Sequence, residues 1–182
     1  MAFLTKAMLF AFYEMLYSSY LLYDQMKLII LLLTLFLNNS AIPNINKKVV
    51  EYVDTVIGEK VARGECWDLA AAALDYAGAY LDRSSKSSIY IFGNVIDSKN
   101  ERIFPGDIIQ IEDVKLEYSQ GNMIFTETMT HHTAIIYSVE GNDIYKIAHQ
   151  NTSFSGKKVG LSELNMSNVK KGNIIFYRPY KN

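Results

Sequence analysis

The chain has one cysteine, Cys66, in 182 residues. A single thiol makes no internal disulfide, so a disulfide scaffold and a cysteine-rich zinc site are both excluded. Charge is nearly balanced, with a formal net charge of −1. That leaves no bulk electrostatic case for nucleic acid or an anionic membrane as partner. No internal repeat and no low-complexity tract interrupts the chain. The longest apolar run, residues 28–37, covers ten residues with one threonine included. A helical membrane span needs about 20. What is present is apolar and aromatic: 49% of residues are hydrophobic, with 13 Tyr and 9 Phe. That composition supplies a core and favours strands over a helical bundle.

The apolar run sits in "MKLIILLLTLFLNNSA", residues 26–41. A lysine, a short apolar stretch and then small polar residues form the pattern of a secretory signal. The expectation is a leader at 1–41, with Met26 or Met1 as the start. Ala41 suits a cleavage position, whereas Asn39 does not. The alternative is that both apolar segments of 1–41 form a membrane anchor. Either way the expected location is secreted, periplasmic or cell envelope.

One domain is expected over 42–182. In "NKKVVEYVDTVIGEKV", Val49, Val50, Val53, Val56 and Ile57 fall on one helical stripe. A second helix is expected from Glu65 to Leu81, with the small apolar centre "LAAAAL" suited to close packing on a sheet. Strands are expected at 88–93, 105–112, 122–129, 131–139, 144–150 and 172–179. "EGND" at 140–143 reads as a hairpin turn. "LSELNMS", 161–167, reads as a short turn or helix. The fold class is therefore α+β, with N-terminal helices packed on a small antiparallel sheet of five to six strands.

Cys66 opens the second helix. A helix N-terminus presents free backbone N–H groups and a partial positive charge, which favour a nucleophilic thiolate. A buried structural cysteine is the competing explanation at this point. The histidines add weight to a nucleophile. His131 and His132 open one strand and His149 ends the next. Adjacent strand residues face opposite sides, so only one of His131 and His132 can serve a given site. A hairpin turn near 141–142 puts position 132 opposite 150 or 151. His149 and Asn151 share a face there, with Gln150 on the other. Thiol attack on a carbonyl needs this set: a nucleophile, an imidazole to move the proton, and a polar group to orient the ring. A zinc site of Cys66, His132 and His149 has the right residue types but lacks short ligand spacing. No metal and no cofactor is expected.

The order "GECW", "PGDIIQIE", "HHTAIIY" and "HQN" resembles the papain-like cell-wall hydrolases of the NlpC-type and CHAP (cysteine, histidine-dependent amidohydrolase/peptidase) families, over about residues 60–178. The resemblance implies Cys66 as nucleophile and Gly106-Asp107 as the family's Gly-Asp strand. His132-Thr133-Ala134-Ile135 matches the family's histidine pattern, so it implies His132, not His131, as base. His149 matches the third residue of NlpC-type members, with Asn151 second; CHAP members carry an acid where His149 stands. The implied activity is hydrolysis of amide bonds in peptidoglycan peptides. Backbone N–H groups beside Cys66 would form the oxyanion hole. Trp67 and Gln150 are candidate substrate contacts. Two other readings remain open: a non-catalytic binding domain on the same fold, and a thiol acyltransferase or deamidase.

Overall fold

The computed structural model describes residues 6–37 and 41–181. The chain divides into two units, Met1–Ala41 and Ile42–Asn182. In the first, both apolar segments run through one helix, α1 (Lys6–Leu37). Among the described residues no helix is long and apolar enough to cross a membrane. Residues 38–40 of the expected signal lie outside the described residues.

The second unit opens with α2 (Asn44–Val56) and α3 (Cys66–Ala77). Six strands follow: β1 (Asn94–Ile96), β2 (Ile108–Gln120), β3 (Met123–Gly141), β4 (Ile144–His149), β5 (Gly160–Asn165) and β6 (Val169–Arg178). They form one antiparallel sheet in the order β1-β6-β2-β3-β4-β5. The α+β class read from the sequence is the one the chain adopts.

The helix stripe is met in part: Val49 and Val53 of α2 are fully buried and Val50 and Val56 half-buried, whereas Ile57 lies past the helix end and is 42% exposed. On α3, Leu69, Ala70, Ala73, Leu74 and Ala77 are buried, and the helix packs on β3. Three alanines on that face let the helix backbone come close to the sheet. The strands alternate between two apolar layers, as a pleated sheet demands. Ile108, Ile135, Ala148 and Tyr177 join α2 and α3 on one face. Ile109, Ile111, Ala134, Ile136, Ile147 and Phe176 line the other.

Several expected elements differ, among them the second helix, which ends at Ala77 instead of Leu81. Residues 88–93 hold a short 3-10 turn at Ser88–Tyr90 instead of a strand. Ser85 and Ser88 exchange side-chain to backbone hydrogen bonds there at 3.0 Å, which draws the chain into a turn. The separate strands 122–129 and 131–139 are one long strand, β3, paired along its first part with the whole of β2 in a hairpin. Residues 161–167 are mostly strand β5, because Leu164 fills the second apolar layer while its backbone pairs with β4.

The Gly106-Asp107 pair acts in architecture. Asp107 is buried and accepts hydrogen bonds from Asn46 Nδ2 at 2.8 Å, Phe104 N at 2.8 Å and Arg178 Nη2 at 2.9 Å. It thereby joins α2, the turn before β2 and the end of β6. Gly106 has φ +86° and lies against the backbone of Asn46, where a Cβ has no room. Burial pushes the Asp107 carboxyl above its usual range, and Arg178, the Phe104 N–H and Asn46 pull it back. Asp107→Ala strands the Arg178 guanidinium and two donors. The expected loss is about 3–5 kcal/mol, read as a lowered urea midpoint with an unchanged slope; a midpoint within error of the parent would refute the clamp.

Candidate functional site

The start of α3 is tied in three directions. Glu65 stands just before the helix in extended geometry, and Cys66 is the first helical residue, half-buried. Asp68 turns back to accept the backbone N–H groups of Glu65 at 3.1 Å and Arg63 at 3.0 Å. The Arg63 guanidinium pairs with the same carboxylate at 2.7 Å. Burial alone would raise the Asp68 carboxyl, but Arg63 and the two N–H groups outweigh it and hold it below the usual range. Asp68 is therefore committed to shaping the helix start.

The second tie comes from the end of β4. Gln150 is completely buried. Its amide donates to Glu65 O at 2.7 Å and Val61 O at 3.1 Å, and its oxygen accepts Val61 N–H at 3.2 Å. All of its polar atoms serve the turn that delivers Cys66. That corrects the expectation of Gln150 as a substrate contact. Asn151 follows in left-handed geometry, φ +63°, and donates to the Glu65 carboxylate at 2.8 Å. Lys157 completes the set with an ion pair to Glu65 at 2.9 Å. Trp67 donates its indole N–H to Ile89 O at 2.7 Å and packs against the helix-side core, half-buried.

His132 and His149 meet. His132 Nε2 lies 3.0 Å from His149 Nδ1, and His149 Nε2 lies 2.8 Å from Ser162 Oγ. Both rings are buried, 8% and 5% exposed. Of the two sequence candidates for a third group, His149 touches His132 and Asn151 is turned to Glu65. Ser162 was illegible in the sequence, since its segment read as a turn. Burial lowers His132 to about 4 and His149 to about 3, with a small further push from the neighbouring histidine in each case. Both are neutral at pH 7. A proton-accepting Nδ1 on His132 requires its hydrogen on Nε2, donated to His149 Nδ1, with His149 Nε2–H donated to Ser162.

The register decides which face each histidine occupies. His132 pairs with Ile111 and His131 with Glu112. His132 therefore leaves β3 on the face of Ala134 and Ile136, away from α3, while His131 shares the α3 side with Thr133 and Ile135. His131 Nδ1 binds the Glu112 carboxylate at 2.9 Å, and its ring meets the edge of Tyr90 at 4.4 Å. Gln110 bridges Glu112 at 2.9 Å and accepts from Thr133 at 2.7 Å. Glu112 and Gln110 are polar partners that the sequence reading passed over. Continuing the register of the pairs Ile135↔Ala148 and Ile136↔Ile147 sets His132 opposite residue 151. The backbone of His132 is thus level with the pair of residues that hold Glu65. Among the described residues Cys66 Sγ forms no hydrogen bond with either histidine, and no group of three or more His, Cys, Asp or Glu is arranged to hold a metal ion.

The sequence pattern of one family covers residues 39–182, the whole of the second unit. The chain belongs to the AIM3/BBC1 cysteine proteinase-fold domain family. The papain-like expectation is met at this level, and the match carries no NlpC-type or CHAP subdivision. Altered inheritance of mitochondria protein 3 of Debaryomyces hansenii is 26% identical over 147 residues. That stretch is 72% of this chain and 15% of the curated relative, so the chain spans a small part of that protein's length. Two solved structures are similar in outline. Ly7917 aligns with TM-score 0.45 and 18% identity over 72% of this chain and 62% of its own. Ly7917 with the hydrolysing product of MDP aligns with TM-score 0.43 and 19% identity over 74% and 63%.

The buried histidines set a pH dependence of stability. In the unfolded chain each titrates near 6.5, so the unfolded form binds protons first as pH falls. Folding stability is full above pH 6.5 and declines towards pH 4. Thermal unfolding of the full chain should show a Tm that drops across this window, with a shallower drop in His132→Gln. Parallel slopes in the two proteins would exclude the histidine pair as the source.

Proposed function

We propose that this cysteine proteinase-fold domain is a thiol hydrolase of peptide amides, with Cys66 as nucleophile, His131 as base and Glu112 as the group that orients it. The observation that carries this reading is that His131 leaves β3 on the face where α3 packs, with its Nδ1 2.9 Å from the Glu112 carboxylate, whereas His132, the base that the resemblance implies, leaves on the opposite face. His131 Nε2 takes the thiol proton as Sγ bonds to the substrate carbonyl carbon. The same proton passes to the leaving nitrogen as the C–N bond breaks, leaving a thioester. Water then attacks the thioester, giving its proton to His131, and the thiol is restored. Glu112 accepts from His131 Nδ1 throughout and stabilises the imidazolium. Free N–H groups in the first turn of α3 face the developing oxyanion.

Peptidoglycan peptides are the substrate class that the NlpC-type and CHAP resemblance brings, and export rests on the pattern at 26–41. Both are parts of the proposal that follow from sequence. A second assignment of the base, His132, is the one the sequence resemblance implies, and its own observation is the contact of its Nε2 with His149 Nδ1 at 3.0 Å.

Alkylation of Cys66 by iodoacetamide at pH 7 separates these cases before any substrate is known. The expected result is a rapid rate in the parent, a loss of roughly 10²-fold or more in His131→Ala, and a change of about threefold or less in His132→Ala. The opposite order moves the base to His132. Equal small effects from both, with intact circular dichroism, would leave a binding domain without thiol chemistry. Once a peptide or peptidoglycan fragment is found to turn over, Cys66→Ala should abolish cleavage.

A further inference from the structure

On the sheet face away from α3 lies a cavity of about 540 Å³. One wall is the long β2–β3 hairpin, through Leu116 and Met129; the other is β4 and β5, through Ile147 and Leu164. Phe154 closes one side. Its ring sits 5.4 Å from the His149 ring and over Gly160, where a Cβ would lie 2.6 Å from the Phe154 ring. The glycine is therefore what lets Phe154 fold down beside His149. His149 and Ser162, joined at 2.8 Å, supply hydrogen-bonding groups in the wall. The charged residues among the described ones lining the cavity are Glu127 and Glu163, with no Lys or Arg. Lys146 stands opposite Glu163 in the strand ladder, so Glu127 is the carboxylate without a cross-strand cation. It pairs with Leu116 and so projects on the cavity side.

We propose that this cavity binds a small ligand with an apolar body and a protonated amine, the body against Phe154, Leu116 and Leu164 and the amine towards Glu127. The volume is in the range of small-molecule sites, and the mix of apolar wall and few polar groups is what such sites show. The ligand's seat includes His149, so occupancy registers at the relay that holds His132. The inference makes no use of Cys66 chemistry and stands or falls separately from it.

The test is a titration of the full chain, carrying ¹³C-labelled histidine, with tryptamine and with indole-3-acetate, which share a ring and differ in charge. The His131 resonance is identified by His131→Ala. Tryptamine should shift the His149 resonance saturably and bind at least about tenfold more tightly than indole-3-acetate. Glu127→Gln should bring the two affinities within about threefold, and Phe154→Ala should weaken both. Cys66→Ala should bind as the parent does, so a failed hydrolase reading leaves this result unaffected. Absence of saturation, equal affinity for the two indoles in the parent, or shifts confined to His131 would each overturn the proposal.

Discussion

The carboxamide of Gln150 is the contact on which the geometry of this domain turns. It lies at the end of β4, is wholly buried, and uses both its nitrogen and its oxygen on the backbone of Val61 and Glu65. Those residues belong to the loop that delivers Cys66 to the first position of α3. A helix packed by Leu69, Ala70 and Ala73 alone could slide along an apolar sheet, because dispersion and burial are not directional. Hydrogen bonds to fixed backbone atoms are directional, so Gln150 sets where along the sheet the helix begins. Asn151 and Lys157 add charge-assisted contacts to Glu65 at the same place.

The sheet then divides polar work between its two faces. Towards α3, Thr133, Gln110, Glu112 and His131 form one connected network. On the opposite face, His132, His149 and Ser162 form another. Each network satisfies groups that burial would otherwise penalise. The second network is the drier one, and its two imidazoles are held neutral at pH 7 by desolvation. On the α3 side Glu112 holds His131 Nδ1, which orients the ring and leaves Nε2 as the nitrogen that takes a proton.

The long β2–β3 hairpin gives the domain a shape beyond the minimum the sheet needs. Its two strands continue past the region paired by β4, and the overhang is what encloses the cavity beside His149. The break of regularity at Asp113, φ +50°, and the shifted register between β2 and β6 around Glu112 and Lys115 mark where the hairpin departs from the sheet. Tyr118 and Phe125 stack at 5.6 Å in this overhang, so cross-strand aromatic packing supports a ribbon with few other neighbours.

Much of this was legible from residue order. The valine stripe of α2, the small apolar centre of α3, the alternation in β2 and β4 and the 140–143 turn each carry a local periodicity that only one backbone geometry satisfies. Cys66 at a helix start was legible for the same reason, as was the opposite facing of His131 and His132. The strand at 160–165 was not, because Leu161 and Leu164 are spaced three apart and only pairing with β4 makes them extended. The serine-rich 85–88 turn was hidden by the apolar letters that follow it. Position in space was beyond sequence altogether: that Gln150 grips the loop before Cys66, that Asn151 turns to Glu65 while His149 takes His132, and that Ser162 ends the relay. These are contacts between segments tens of residues apart. Local propensity sets the elements, but the register of β3 against β2 and β4, fixed by burial on two faces at once, decides which polar side chains meet.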